Sequence, residues 1–354
     1  MRLHISDLKE GDILLKDTFN GYGLHVLSKS TVLTHKDIAK LFQHQVDYVD
    51  IEDRRTTEQP DHRTLENSVH PKWLPNVRPD YENAVKGFQD LFLKATAGGV
   101  VNQDEVAAAF SPLLKNFQME RDVVSMLLLL NTADDYTYQH SVQVGMLSYY
   151  LASWLGYTEL EALEISKAGY LHDIGKSRIS SSILDKPAKL TEQEFEEVKK
   201  HTLYGHEIIQ QSFHDQSEFL SVSALQHHER IDGSGYPYGL HGDEIHPVAK
   251  IIAVVDIYSA MISERVYKKK RDLFYVLKEL YKMSFNELDA RTTHTFIKHM
   301  IPNFIGKKAV LESGEVGTII MTHPTEFFRP LIQIGEQFID LTVDRDYEIK
   351  AIIF

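Results

Sequence analysis

The sequence predicts a mainly α-helical protein in which a central helical domain is flanked by two small β-rich modules. Apolar residues recur at helical spacing between about residues 81 and 300. Short β-type runs fill residues 1 to about 52, and similar runs with glycine-containing turns follow Pro302. We therefore expect four segments, namely a β-rich N-terminal domain over 1–58, a linker over 59–80, a helical domain over 81–302 and a β-rich C-terminal appendage over 303–354.

The N-terminal module is predicted from β-type runs that glycines separate. The runs are GDILLKDTF, GLHVLSKSTVLT and VDYVDI, and Thr34 is expected to cap a short helix through HKDIAKLFQHQ. Residues 53–80 are polar, rich in proline and without clear periodicity. This stretch is therefore interpreted as a linker.

The central helices are predicted from apolar periodicity together with start and stop signals. The periodic segments are YENAVKGFQDLFLKA, DEVAAAFSPLLKNF, HSVQVGMLSYYLASWLG, ELEALEISKAGYLHDIG, TEQEFEEVKKHTLYGHEIIQQ and PVAKIIAVVDIYSAMIS. Thr191 and Glu194 form a capping box, and glycines after several segments fit helix ends. The C-terminal runs KKAVLESGEVGTIIMTH, PLIQIGEQFIDLTVDRD and YEIKAIIF are expected to be strands.

Composition and charge exclude several classes of function. A net charge of −13 disfavours general nucleic-acid binding, although bound divalent metals would still allow a small anionic ligand. The chain has no cysteine, so any metal site must use His, Asp or Glu, and a reducing compartment is expected. The first residues lack the apolar core of a signal peptide, and the apolar runs are too short to span a bilayer. We expect a cytoplasmic protein without a membrane partner.

Seven side chains of metal-ligating type lie within or at the ends of the predicted helices. They are His140, His172, Asp173, His201, His227, His228 and Asp256. Imidazoles and carboxylates together suit Fe, Mn, Zn or Ni. Two such ions close together can bind the oxygens of a phosphodiester, generate hydroxide and neutralise developing charge. Asp173 is the natural bridge between the two ions.

Lys176 follows Asp173 by three residues and His172 by four, so we expect all three on one helix face. A lysine there can pair with a phosphate oxygen in the transition state. The alternative is a helical scaffold whose histidines are structural, because a single histidine in a helix is more often structural than a ligand. Only the complete ordered set favours a metal site.

The ordered set resembles the HD phosphohydrolase superfamily, and HHERIDGSGYPYGLHGDEI is similar to the HD-GYP family in particular. YTYQHS, LHDIGK, HTLYG and KIIAVVDIYSAMISERVY resemble further blocks of that family, in its order. The resemblance covers about residues 110–290. It implies an all-helical HD-type phosphohydrolase domain.

The resemblance also implies an activity, which is hydrolysis of cyclic di-GMP by a hydroxide that bridges two metals. The product is expected to be linear pGpG, and GMP if a second cut follows. The family's ligands for one metal match His140, His172, Asp173 and Asp256, and those for the other match Asp173, His201, His227 and His228. Lys176 matches the lysine that contacts phosphate. The resemblance favours Fe or Mn, while Zn or Ni also fits.

Two departures from the family pattern qualify these expectations. Tyr136 stands where some members carry a glutamate associated with a third metal, so we expect a two-metal site. Arg265 is kept as a candidate phosphate or guanine contact, with a helix-surface salt bridge as the alternative. Val266 and Lys268, however, differ from the family's usual residues.

The GYP segment has two interpretations. Gly233, Gly235 and Pro237 are expected to form a tight turn after the preceding helix, with Asp232 as a turn former or a partner of a ligand histidine. Tyr236 is expected to be exposed beside the ligands, where it contacts the nucleotide or, through this loop, a signalling domain or a second copy of the chain.

Two further functions remain open from the sequence. One is a phosphohydrolase that acts on another nucleotide such as cyclic GMP-AMP, because the metal ligands are generic. The other is a receptor that binds a cyclic dinucleotide with little turnover. The intact ligand set and Lys176 favour an enzyme over a receptor.

Overall fold

The fold is described from a computed structural model of the chain. The described residues are 2–5, 8, 10–19, 25–44, 46, 48–52, 74–117, 136–186, 188–213, 218–262 and 273–353. The chain divides into two compact units, Met1–Arg63 and Thr64–Phe354.

The N-terminal unit combines two short antiparallel strand pairs with one helix. Its elements are β1 (Arg2–His4), β2 (Thr18–Phe19), β3 (His25–Leu27), α1 (His35–Gln43) and β4 (Tyr48–Asp50), with β1 paired to β4 and β2 to β3. The Asp37 amide donates to Thr34 Oγ1 at 3.3 Å, which confirms the predicted cap of α1. Apolar residues that include Leu14, Leu33 and Ile51 form the core of this unit.

Helices dominate the second unit, as the periodicity predicts. They are α2 (Leu74–Thr96), α3 (Gln103–Phe117), α4 (Tyr136–Leu155), α5 (Glu159–Leu171), α6 (Ser181–Leu184), α7 (Glu192–Lys199), α8 (His201–Phe213), α9 (Glu218–Gln226), α10 (Pro247–Ile262), α11 (Leu273–Met283) and α12 (Ala290–Met300). Helix α4 packs against α5 and α10, so the core is built around it.

Helix α2 begins earlier than the sequence predicts. Its first residues, 74–80, fall within the stretch interpreted as a linker. Val77 and Tyr81 are buried and continue the apolar stripe of Ala84 and Phe88 toward the N-terminus, which explains the longer helix. The remaining domain boundaries stay predictions.

The segment TEQEFEEVKKHTLYGHEIIQQ forms two helices rather than one. The capping box of Thr191 and Glu194 is confirmed at the start of α7. At Lys200 the backbone amide bonds to the carbonyls of Glu197 and Val198, which closes α7 with a tight last turn. Helix α8 therefore starts anew with His201 as its first residue.

The C-terminal strands form one antiparallel sheet that packs on the helices. The strands are β5 (Lys308–Leu311), β6 (Val316–Met321), β7 (Leu331–Ile334), β8 (Gln337–Asp340) and β9 (Ile349–Ile353), in the order β8-β7-β6-β5-β9. Ala309 and Ile332 belong to the same core as the helices, and the rings of Phe274 and Phe328 lie 5.4 Å apart. The predicted fold class, helical with small β-rich modules at both ends, is confirmed. Within the described ranges, no helix has the length and apolarity needed to cross a membrane.

Candidate metal centre

The seven predicted ligands converge inside the helical domain from separate elements. His140 lies within α4, His172 and Asp173 follow α5, His201 begins α8, His227 and His228 follow α9, and Asp256 lies within α10. All are buried except His228, which is half-buried. The fold therefore gathers in one place residues that are up to 116 positions apart.

The carboxylate of Asp173 faces two groups of histidines. Its Oδ2 atom lies 3.2 Å from His172 Nε2 and 3.9 Å from His140 Nε2. Its Oδ1 atom lies 3.4 Å from His201 Nε2 and 3.8 Å from His227 Nε2. One oxygen thus points to each group, which is the arrangement that a bridging ligand requires.

Asp256 lies beside the first group. Its Oδ1 atom is 3.0 Å from His140 Nε2 and 3.8 Å from His172 Nε2, and its Oδ2 atom is 3.9 Å from His228 Nδ1. The candidate ligand atoms form two sets, and within each set all atoms lie within 4.8 Å of one another. One set is His140, His172 and Asp173, and the other is Asp173, His201, His227 and His228. Asp256 is in neither set, so its predicted role as a ligand stays a prediction.

Three of the histidines are held by backbone carbonyls at Nδ1. The distances are 2.7 Å from His172 to Gly169, 2.6 Å from His201 to Val198, and 3.0 Å from His227 to both Ser223 and Ala224. A carbonyl only accepts, so each Nδ1 carries the proton. In the neutral form of each ring, Nε2 is left with a lone pair that faces the cluster, as in metal sites where carbonyls orient the ligands.

The charges of the cluster fit a divalent cation. His201 Nε2 and His227 Nε2 are 3.3 Å apart, and with both Nδ1 atoms protonated no hydrogen lies between them. Burial lowers the pKa of His201 to about 4 and that of His227 to about 3, so both rings are neutral at pH 7. Among the described residues, the buried Asp173 Oδ1 has no hydrogen-bond donor. A cation that these lone pairs share would satisfy all three atoms.

Asp173 remains ionised in spite of its environment. Burial opposes its charge, but His172 and Lys176 more than offset that cost and hold its pKa well below the usual value. Burial also opposes a charge on His172, yet the carboxylates of Asp173 and Asp256 raise the pKa of this ring. The centre therefore keeps its anionic ligand, as metal binding requires.

Lys176 lies near Asp173, as predicted, but the two residues do not share one continuous α-helix. Helix α5 ends at Leu171, and Lys176 lies in a separate 3₁₀ helix, Ile174–Arg178, so the continuous helix face was wrong. Its Nζ atom lies 2.5 Å from Asp173 Oδ2, and about a quarter of its side chain, 24%, is exposed. The ammonium group thus lies between the cluster and solvent.

Gly175 allows the Asp173 segment to approach α8. A Cβ atom at this position would overlap the His201 carbonyl and the Gly205 amide, both of which are backbone. The close approach brings Asp173 within reach of His201. This role of the glycine in LHDIGK was not predicted from the sequence.

Replacing Gly175 with alanine should therefore separate the 3₁₀ helix from α8. We expect a loss of stability of about 3 kcal/mol, because the backbone atoms it meets cannot rotate away. Thermal unfolding and metal content measure the effect. Gly98→Ala is the control, since its positive φ of 75° costs only about 1–2 kcal/mol and its Cβ meets no atom within 4 Å. An equal loss in both variants would contradict this explanation.

The GYP loop is organised by two carboxylates. Asp232 Oδ1 accepts hydrogen bonds from the Ser234 amide and hydroxyl, which confirms its prediction as a turn former. The buried carboxylate of Glu229 accepts from the amides of Tyr238 and Leu240 at 2.8 and 2.9 Å. Glu229 was not predicted. Its position directly after the histidine pair is the only signal in the sequence.

Tyr236 is half-buried, so the predicted exposure was wrong. Its amide donates to the His228 carbonyl at 3.2 Å, which folds the loop back over the histidine pair. Its ring centre lies 4.7 Å from that of His228 and 6.4 Å from that of His201. The ring centre of Phe195 lies 6.3 Å from that of Tyr236, and Lys199 Nζ lies 5.6 Å from the centre of the Tyr236 ring. Neither Phe195 nor Lys199 was predicted as a site residue from the sequence.

Some predicted residues lie outside the described part of the chain. These are Arg265, Val266 and Lys268, together with the side chain of Tyr136. Their predicted roles, including the absence of a third metal ligand at Tyr136, stay predictions.

Comparisons with known proteins agree with this geometry. Residues 123–292 match the HD domain family. The chain is 31% identical over 244 residues to a cyclic di-GMP phosphodiesterase of Pseudomonas aeruginosa, covering 69% of this chain and 58% of that protein. It is 35% identical over 215 residues to a cyclic di-GMP phosphodiesterase of Thermotoga maritima, covering 60% and 57%. A 3′3′-cGAMP-specific phosphodiesterase of Vibrio cholerae is 34% identical over 157 residues, covering 44% and 33%.

The chain spans less than two thirds of the length of each of these relatives. A solved HDGYP protein of Bdellovibrio bacteriovorus aligns with 84% of this chain and 97% of its own, at a TM-score of 0.49 and 16% identity. The buried cluster of histidines and aspartates in this helical domain is compatible with the binding of divalent metal ions. The matched region, residues 123–292, is an HD domain by this comparison, and Gly235-Tyr236-Pro237 within it agrees with the HD-GYP group.

Proposed function

We propose that the protein is a metal-dependent phosphodiesterase that hydrolyses cyclic di-GMP to linear pGpG, and to GMP if a second cut follows. The observation that carries this proposal is the Asp173 carboxylate, which directs one oxygen to each of two histidine groups. The names of two relatives, cyclic di-GMP phosphodiesterases with 31% and 35% identity, support the substrate.

Two divalent ions would occupy the centre. His140, His172, Asp173 and Asp256 would hold one, and Asp173, His201, His227 and His228 the other. Imidazole and carboxylate ligands suit Fe or Mn, and also Zn or Ni. When bound, such a pair activates water and binds phosphate oxygens. The protein contributes by holding the ligands rigidly and by keeping the centre buried.

Lys176 would stabilise charge on the phosphoryl group. Its Nζ atom pairs with Asp173 Oδ2 and borders solvent, so it can reach a phosphate that lies at the centre. Positively charged groups placed where charge develops act more strongly in a partly buried site than in water. Arg265 is proposed as a second contact to phosphate or guanine.

A base of the substrate would rest at the outer edge of Tyr236. Phe195 on α7 is 45% exposed although it is a large apolar residue, and its ring meets that of Tyr236 edge-on. Lys199 Nζ lies 5.0 Å from the centre of the Phe195 ring. An aromatic surface beside a cation suits guanine, which offers a π-face and two acceptors on its major-groove edge.

Replacing Phe195 with alanine should raise KM for cyclic di-GMP with little change in kcat. We expect a rise of about tenfold, because stacking on one base contributes about 1–3 kcal/mol. Steady-state kinetics measure the effect, and Phe285→Ala, at another exposed phenylalanine, is the control. A KM that stays at the wild-type value would remove Phe195 from the binding surface.

Cyclic GMP-AMP is the second candidate substrate, because one relative is named as specific for it. The experiment compares kcat/KM for cyclic di-GMP, 3′3′-cGAMP and linear dinucleotides with the same metal-loaded sample. A preference for cyclic di-GMP supports the proposal, and a preference for cGAMP replaces it. Tight binding of cyclic di-GMP without turnover identifies a receptor instead.

The GYP loop is also proposed as a contact for a signalling domain or a second copy of the chain. Tyr238, next to the GYP sequence, is 61% exposed and supports a contact there. A cytoplasmic location, where cyclic di-GMP signalling takes place, belongs to the same proposal.

A further inference from the structure

His140 is anchored differently from the three histidines whose Nδ1 atoms bond to backbone carbonyls. Its Nδ1 atom lies 3.0 Å from the hydroxyl of Ser259, a fully buried residue on α10. Ser259 follows Asp256 by three residues on the same helix. The orientation of this ring therefore depends on a side chain, which a mutation can remove.

The hydroxyl has a defined direction. Ser259 Oγ donates to Gln143 Oε1 at 3.1 Å, and Gln143 is buried on α4. With its hydrogen directed to Gln143, the oxygen accepts from His140 Nδ1–H. The other ring nitrogen, Nε2, then carries a lone pair toward Asp256 Oδ1, 3.0 Å away.

These contacts connect α4 and α10 twice at the same level. On α4, His140 is three residues before Gln143, so these two side chains share one helix face. On α10, Asp256 is three residues before Ser259, so these two also share one face. The Gln143 amide also faces the hydroxyl of Tyr81 on α2. Within the described residues, neither Gln143 Nε2 nor the Tyr81 hydroxyl has a partner with the geometry of a hydrogen bond.

We propose that Ser259 and Gln143 are positioning residues, which hold His140 in the tautomer that directs Nε2 to the metal bound by His140 and His172. The inference rests on the metal binding of the proposed function but not on its substrate. It assigns a role to a hydrogen-bonded pair outside the predicted ligand set. Loss of the pair should weaken one metal position and leave the other intact.

The test measures metal binding by Ser259→Ala in the full chain. Purified protein is titrated with Mn(II) against a chelator, and bound metal is counted. We expect affinity at one position to fall about 10–100-fold, the usual effect of removing a group that orients a ligand, so that the content falls from two ions per chain toward one. Ser259→Thr keeps the hydroxyl and should bind two ions.

Two further variants make the result specific. Ser148→Ala removes another fully buried hydroxyl and should bind metal like the wild type. Among the described residues, this hydroxyl donates to the Val144 carbonyl of its own helix. Gln143→Leu keeps the size of the side chain and removes the acceptor of the Ser259 hydroxyl, so it should weaken metal binding at the same position. This variant provides the test if Ser259→Ala does not fold.

Unchanged Mn(II) affinity in Ser259→Ala, or in a folded Gln143→Leu, would overturn the inference. Equal losses in Ser148→Ala would overturn it too, because the effect would then come from general packing. A wild type that binds two ions but does not cleave cyclic di-GMP would refute the proposed function alone, since metal affinity is measured without substrate.

Discussion

Asp173→Ala is expected to lose both metal ions and the phosphodiesterase activity in one step. Asp173 is the only residue that belongs to both sets of ligand atoms within the described structure. Its removal also leaves Lys176 and His172 without the carboxylate that pairs with them. We expect kcat to fall by at least about 10³-fold, the upper end of what one electrostatic group contributes.

The measurement for Asp173→Ala combines metal content with turnover. Asp173→Asn, which keeps the shape and removes the charge, should show nearly the same loss. Asp90→Ala on the exposed face of α2 is the control and should behave like the wild type. Asp173→Ala protein that still bound two ions would show that the carboxylate does not bridge them.

Lys176→Ala is expected to separate metal binding from catalysis. The lysine is not in either set of ligand atoms, so the variant should keep both ions. Turnover should fall about 10²–10³-fold, because a cation aimed at developing charge is lost. KM should change less than kcat, since the interaction strengthens in the transition state.

Metal content and steady-state kinetics of the same preparation check this expectation. Lys176→Arg keeps the charge and should recover part of the activity, while Lys298→Ala, at an exposed lysine of α12, should have no effect. Full kcat in Lys176→Ala would show that its role is limited to pairing with Asp173. Loss of both ions would show that the lysine acts through the metal centre instead.

The fold class and the seven-residue cluster could be predicted because their signals are local. Apolar periodicity indicates each helix, and metal-ligating residue types mark the places where helices face one another. His140 and Asp256 are 116 positions apart, yet the order of the motifs was enough to group them. The family resemblance supplied the pairing into two sets.

What could not be predicted depends on contacts between segments. The break at Lys200 lies inside a continuous periodic pattern, because the backbone hydrogen bonds that close α7, from the Lys200 amide to Glu197 and Val198, need no particular side chain. The burial of Tyr236 follows from a loop that folds back on His228, and the loop in turn depends on Glu229. Ser259 has no motif of its own and gains its role from the position of α4 beside α10.

The central claim is most directly tested by one measurement on the wild-type protein. The chain is reconstituted anaerobically with Fe(II) or Mn(II), bound metal is counted, and cyclic di-GMP turnover is followed in the same sample. We expect two ions per chain and conversion to pGpG or GMP. Two bound ions without conversion of cyclic di-GMP would contradict the account.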